Sequence, residues 1–131
     1  MKLKIKLLDD KDFCMAVENI GNSNKLPGEI AYRAGRISRR LSAELTTTRK
    51  AVLDLLNKYA VKENGLIKNF PSGPFEFESK EIEAQHDAEF DKVMDREIEE
   101  KVMPLPFSAV KEAGLTGIEL AALEPIMDMN A

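Results

Sequence analysis

Apolar positions recur with a helical period along one long stretch of this 131-residue chain. From Ile30 to Tyr59, eight steps between successive positions of the row cover 29 residues, which is close to the 3.6 residues of a helical turn. The pattern predicts an α-helix from Pro27 to about Tyr59. At about 1.5 Å of rise per residue this helix is roughly 50 Å long, more than the width of a compact domain of this size. Another element or a second copy of the chain must therefore lie along it.

Strict alternation of polar and apolar residues marks the predicted strands. The alternating stretch from Lys2 to Leu7 predicts a half-buried strand. Two short segments on either side of Asn64-Gly65 predict a hairpin, because this dipeptide suits a type I′ turn. Residues 71–74 form a second predicted turn, and the alternation from Phe75 to Glu78 extends this region into a small meander.

A second long helix is predicted from Ser79 to about Glu100, with a row at i+4 spacing on one side and many carboxylates on the others. The row consists of Ile82, His86, Phe90, Met94 and Ile98. This acidic helix spans about 33 Å and leaves about three turns of the longer helix uncovered. A second copy of the chain is expected to cover the rest, with the contact either in the middle of the apolar stripe or at its end from Ile30 to Leu41.

Shorter elements complete the predicted fold. Asp9 or Asp10 caps a short helix with Phe13, Val17 and Ile20 on its apolar side. Near the other end, Pro104 and Pro106 exclude a helix interior and indicate an edge strand or an extended arm. A capping box at residues 116–119 begins a last short helix, and the tail from residue 128 is expected to fray. The prediction is a helix-rich α+β fold, a single domain over residues 1–131. Its long central helix packs antiparallel to the acidic helix, with a small hairpin or short sheet and a C-terminal short helix.

Composition places the chain among cytoplasmic proteins. The N-terminus lacks the continuous apolar region of a signal peptide, and no apolar run approaches the roughly 18 residues that span a bilayer. The single cysteine agrees with a reducing compartment. Residues 1–62 carry 13 Lys/Arg against 7 Asp/Glu, whereas residues 63–131 carry 6 against 16, so charges of +6 and −10 underlie the net charge of −4. We expect the basic and acidic helices to pair within one molecule or to meet a partner.

Arginines Arg33, Arg36, Arg39 and Arg40 crowd the start of the long helix, and the first, second and fourth lie on one flank of the apolar stripe. Such a cluster can grip phosphates. The acidic overall charge and the absence of interleaved exposed aromatic residues disfavour nucleic acid. Ion pairing with the acidic helix is the favoured interpretation. The candidate binding residues are the three arginines on the flank and two apolar residues of the stripe: Arg33, Arg36, Arg40, Ile37 and Leu41.

No pattern in the chain indicates catalysis or a metal centre. Cys14 lies beside an apolar helix side, and His86 lies in the apolar row without a Ser or Cys at a recognisable motif spacing. Asp87, Asp91 and Asp95 recur every four residues, but a straight helix directs such carboxylates outward, and no calcium-loop Gly accompanies them. We expect no enzyme activity, no metal and no cofactor.

The layout as a whole resembles a group of small tailed-phage proteins of unknown function. The shared features are the lysine-alternating start, the long helix, the Asn-Gly hairpin, the acidic helix, the proline-rich arm and the ending from Thr116 to Ile126. The resemblance implies a virally encoded protein that acts inside an infected bacterium. It carries over no catalytic residues.

Two functions are consistent with these features. The first is a non-enzymatic binding protein, either a phage accessory or assembly component or an inhibitor that docks on a host defence protein. The second is an oligomer that sequesters a nucleotide signal with Arg33, Arg36 or Arg40 at a subunit interface. Both include self-association, and neither involves a membrane.

Overall fold

A computed structural model describes residues 1–131 and shows a helix-rich α+β fold, as predicted from the sequence. The chain forms two compact units. The first unit comprises Met1–Leu45 and Glu97–Ala131, and the second comprises Thr46–Arg96. The long helix α2, Gly28–Tyr59, confirms the prediction for this stretch and contributes its first part to the first unit and its last part to the second. None of the helices combines the length and the apolar character needed to cross a membrane.

The first unit opens with a strand that is shorter than predicted. Strand β1 covers only Lys2–Lys4, and residues Ile5–Asp9 continue as a 3-10 helix, so the strand predicted to reach Leu7 is wrong beyond Lys4. Asp10 then caps helix α1, Lys11–Gly21, by accepting hydrogen bonds from the backbone N–H groups of Asp12 and Phe13. The predicted apolar side of α1 is confirmed, because Phe13, Val17 and Ile20 are buried.

The acidic helix ends earlier than the sequence suggested, and the residues beyond it form a strand. Helix α3 runs Lys80–Met94, and strand β4, Glu97–Glu99, pairs antiparallel with β1. The register places Lys2 opposite Glu99, Leu3 opposite Ile98, and Lys4 opposite Glu97. Opposite charges therefore face each other on one side of the pair while two apolar side chains enter the core on the other. This pairing explains why Ile98 leaves the helical row.

The C-terminal part of the first unit is built on a second, parallel strand pair. Strand β5, Leu105–Pro106, pairs with β6, Met127–Asp128, and the short helices α4, Phe107–Val110, and α5, Gly117–Ala122, lie between them in sequence. The predicted capping box of α5 is confirmed at Thr116 and Glu119. Ala131 accepts a backbone hydrogen bond from Ser108, so the expectation that the tail frays is wrong.

The core of the first unit draws on both of its segments. Its fully buried large side chains are Ile5, Phe13, Ile20, Ile37, Leu105, Val110, Leu123 and Ile126. They come from both segments of the unit, so residues 97–131 complete a core that begins near the N-terminus.

The second unit contains the last part of α2, the hairpin and α3. Strands β2, Lys62–Glu63, and β3, Leu66–Ile67, form the predicted hairpin, and its turn residues Asn64 and Gly65 have φ of 53° and 78°. Three buried residues of a small apolar cluster, Leu56, Ala60 and Ile67, pack with Phe75 and Phe77. Helix α3 packs against the end of α2 through an ion pair between Lys58 and Glu89 and a ring contact between Tyr59 and His86.

Replacing Gly65 with Val is expected to lower the free energy of unfolding by about 1 kcal/mol or more. The cause is the positive φ alone, because nothing lies within 4 Å of the site that a Cβ would occupy. Gly35→Ala is the matched control, since Gly35 lies inside α2 with equally open space and no positive φ. That control should raise stability by about 0.5–1 kcal/mol. Thermal unfolding followed by circular dichroism measures both, and an unchanged melting temperature in Gly65→Val would contradict the assigned turn.

Candidate functional site

The candidate arginines are all engaged by acidic residues of their own unit. Arg33 pairs with Glu29 at 3.3 Å and donates to the carbonyl of Pro104 at 3.1 Å. Arg36 pairs with Glu100 at 3.2 Å, and Arg40 pairs with Glu44 at 3.3 Å. The sequence assigned these partners to the acidic helix, and that assignment is wrong for Arg33 and Arg40. Glu100, the partner of Arg36, is the last residue of the predicted acidic helix but lies beyond α3 in the structure. Two of the partners lie on α2 itself, and Glu100 follows β4.

Ile37 and Leu41 are core residues of the first unit, with relative exposures of 1% and 5%. Ile30 and Ala34, the preceding positions of the stripe, are buried as well. A second copy of the chain has no access to these side chains. The predicted contact between two copies of the chain through Ile37 and Leu41 is therefore wrong. These side chains are already covered by α1 and by the segments near both termini.

A different set of α2 residues points outward and forms an exposed surface. Tyr32 is 63% exposed, and one turn later the guanidinium of Arg36 donates to its hydroxyl at 3.5 Å. Met103 is 70% exposed and lies in a segment held close to α2, because the next residue, Pro104, accepts the hydrogen bond from Arg33. We call Tyr32, Arg36 and Met103 the Tyr32 surface.

Glu100 is a buried residue that holds Arg36 and the backbone next to Met103 in place. Its residue exposure is only 6%, and one carboxylate oxygen accepts both from Arg36 Nε and from the backbone N–H of Val102, each at 3.2 Å. Its backbone exchanges two hydrogen bonds of 2.9 Å with Met1, one in each direction. One buried residue thus connects the N-terminus, α2 and the segment that carries Met103.

The same two neighbours act on the charge of Arg36. The hydrogen bond with the Tyr32 hydroxyl, and after it the negative charge of Glu100, raise the pKa of the Arg36 guanidinium above its ordinary value. Arg36 therefore presents a positive charge next to the hydroxyl of the exposed Tyr32 side chain.

Comparisons with known proteins give no relative. No protein-family model, curated protein or solved structure matches this chain. The site is therefore assigned from its own geometry.

His86 occupies an aromatic environment in the second unit. The rings of Tyr59, Phe77 and Phe90 have centroids 6.3, 4.9 and 6.0 Å from that of His86, and its Nδ1 lies 3.0 Å from a carboxylate oxygen of Asp87. This confirms that His86 packs within the apolar row. Three rings and an exposed neighbouring carboxylate are typical of a packed histidine.

The remaining candidates for chemistry are dispersed. The thiol of Cys14 donates to the carbonyl of Leu8 at 3.3 Å. The three aspartates at four-residue spacing on and just beyond α3 are exposed, and no group of three or more His, Cys, Asp or Glu residues is placed to hold a metal ion.

The sequence analysis identified Arg36 as a candidate but missed the residues that surround it in the structure. The i, i+4 spacing of Tyr32 and Arg36 could have indicated their contact. Glu100 and Met103 could not be placed there, because they reach α2 only through the fold of residues 97–131.

Proposed function

We propose that this chain is a non-enzymatic binding protein that docks on another protein through the Tyr32 surface. The observation that carries this proposal is the combination of high exposure and fixed geometry at Tyr32, Arg36 and Met103. Tyr, Arg and Met are enriched in protein interfaces, and Tyr and Arg are frequent among the residues that dominate binding energy. Together they supply apolar area, a fixed charge and a hydroxyl.

Rigidity of this surface favours binding. A side chain that is immobilised only on association costs about 0.5–1.5 kcal/mol, and that cost falls when the side chain is held in advance. Arg36 is held by two partners, and the backbone on both sides of Met103 is anchored, at Val102 by Glu100 and at Pro104 by Arg33. Arg36 and the backbone on both sides of Met103 are therefore held in place before a partner binds.

The class of partner follows from the resemblance to small tailed-phage proteins. We propose a phage-encoded protein that acts in the bacterial cytoplasm, with either a host defence protein or a phage assembly protein as its target. The alternative function, sequestration of a nucleotide signal by an oligomer, is less well supported. Arg33, Arg36 and Arg40 already give hydrogen bonds or ion pairs to carboxylates of their own chain, which reduces what they can offer to a phosphate.

Affinity purification from infected bacteria tests the proposed function. A tagged wild-type chain is expected to retain a host or phage protein that the double variant Tyr32→Ala, Met103→Ala retains poorly. The matched control is Met15→Ala, Ile118→Ala, which removes two comparably exposed apolar side chains elsewhere in the first unit. This control should retain the partner at the wild-type level.

The identity of the retained protein separates the two biological roles. A host defence protein would support inhibition, and a virion component would support assembly. A nucleotide released by heating the purified chain would favour the sequestering alternative. A set of retained proteins that is identical for wild type, the Tyr32 surface variant and the control would contradict docking through this surface.

A further inference from the structure

A half-open groove of about 280 Å³ lies between α1 and α2 within the first unit. Its apolar lining consists of Leu8, Val17, Leu41 and Leu45. The first three of these side chains are largely buried by their neighbours and form a fixed floor. The volume is close to the lower end of the range for small-ligand pockets, which suits a single long side chain.

Close contact between the two helices closes one end of the groove. A Cβ placed on Gly21 would lie 2.7 Å from the Cβ of Ser38, a separation that real Cβ atoms do not show. Glycine at this position lets the last turn of α1 touch α2 directly. Asn22 and Ser38 line the groove next to this contact, so its polar end is held in place by the backbone of α1.

The polar end of the groove carries negative charge. Glu18 lines the groove in the last turn of α1 and is the only charged residue among the lining side chains. That turn carries no basic residue, although the C-terminal end of a helix favours a cation. The exposed carboxylate and the partial negative charge of the helix end therefore lie together beside an apolar floor.

We propose that this groove binds one lysine or arginine side chain of a partner peptide. Such side chains combine an apolar stem with a cationic head, and they cover apolar surface with the stem while the head stays at a polar edge. Here the stem lies on Leu8, Val17, Leu41 and Leu45, and the head reaches Glu18. This site goes beyond the proposed function, because none of its residues belongs to the Tyr32 surface.

Nuclear magnetic resonance titration of the ¹⁵N-labelled full chain tests this assignment with three probes. N-acetyl-arginine methylamide carries both stem and head, N-acetyl-norleucine methylamide carries an apolar stem alone, and N-acetyl-glutamate methylamide carries the opposite charge. A single side chain is expected to bind with a Kd in the millimolar range, on the order of 1–10 mM. Only the arginine probe should shift the backbone resonances of Asn22, Ser38 and Ser42 in a saturable way.

Variants of Glu18 separate specific binding from general attraction to an acidic protein. Glu18→Gln should weaken binding of the arginine probe by roughly twofold to fivefold. Glu112→Gln, an exposed carboxylate outside the groove, should leave its affinity unchanged. Equal shifts with the arginine and norleucine probes, no saturable shift at these three residues, or an equal loss in both variants would overturn the proposal.

Discussion

Ile37→Asp is expected to lower the free energy of unfolding by about 4 kcal/mol or more, which approaches the total stability of a marginally stable domain. Ile37 is only 1% exposed in the core of the first unit, so a carboxylate there loses its water without gaining a partner. Thermal unfolding by circular dichroism should show a large fall in Tm or a chain that is unfolded at room temperature.

The control for this substitution lies two residues away on the same helix. Arg39 is exposed, and Arg39→Asp should change stability by no more than about 0.5 kcal/mol. The comparison decides whether this part of α2 is an internal core or an interface between copies. A folded Ile37→Asp chain with a wild-type Tm and altered self-association would restore the intermolecular interpretation.

Glu100→Ala is expected to lower the free energy of unfolding by about 1–3 kcal/mol, because the partly buried N–H of Val102 loses its acceptor. Arg36 loses the partner that orients it at the same time. Chemical denaturation with urea measures the change. Glu100→Gln should cost less than Glu100→Ala, because its amide oxygen can still accept one of the two hydrogen bonds.

Glu29→Ala provides the comparison for an ion pair that is exposed to solvent. Glu29 pairs with Arg33 at the surface, and exposed pairs contribute at most about 1 kcal/mol. If Glu29→Ala and Glu100→Ala destabilised the chain equally, Glu100 would not be the residue that joins the N-terminus, α2 and the segment carrying Met103.

Local signals explain which parts of the fold the sequence predicted well. The apolar row of α2 continues for about eight turns, the Asn64-Gly65 turn needs positive φ at both residues, and the capping box at Thr116 is contained within four residues. In each case the pattern that identifies the element lies within the element itself. Tertiary packing was not needed to recognise it.

Non-local pairing explains the errors. Ile98 continues the i+4 row of the acidic helix and also alternates with Glu97 and Glu99, so the sequence permits both a helix and a strand there. Only the pairing with Lys2–Lys4, almost the whole chain away, selects the strand. The wrong prediction that part of α2 lacked an apolar partner within the chain has the same cause. Buried residues such as Leu105, Leu123 and Ile126 come from a segment whose sequence did not indicate where it packs.

The candidate site was predicted only in part for a similar reason. Charge asymmetry drew attention to Arg36, but charge pattern along a chain does not identify the nearest carboxylate in space. In the structure the partner of Arg36 is Glu100, which the pairing of β4 with β1 places outside any helix. The exposure of Tyr32 and Met103, which now carries the proposed function, depends on that arrangement.

The most direct test of docking through the Tyr32 surface is isothermal titration calorimetry of the purified chain with the protein it captures. Tyr32→Ala is expected to raise the Kd at least about fivefold, because removal of an aromatic side chain that anchors an interface costs more than about 1 kcal/mol. Ile118→Ala, which removes an apolar side chain of similar exposure, should leave the Kd within about twofold of the wild-type value. Equal Kd values for the wild-type chain and Tyr32→Ala would contradict docking through this surface.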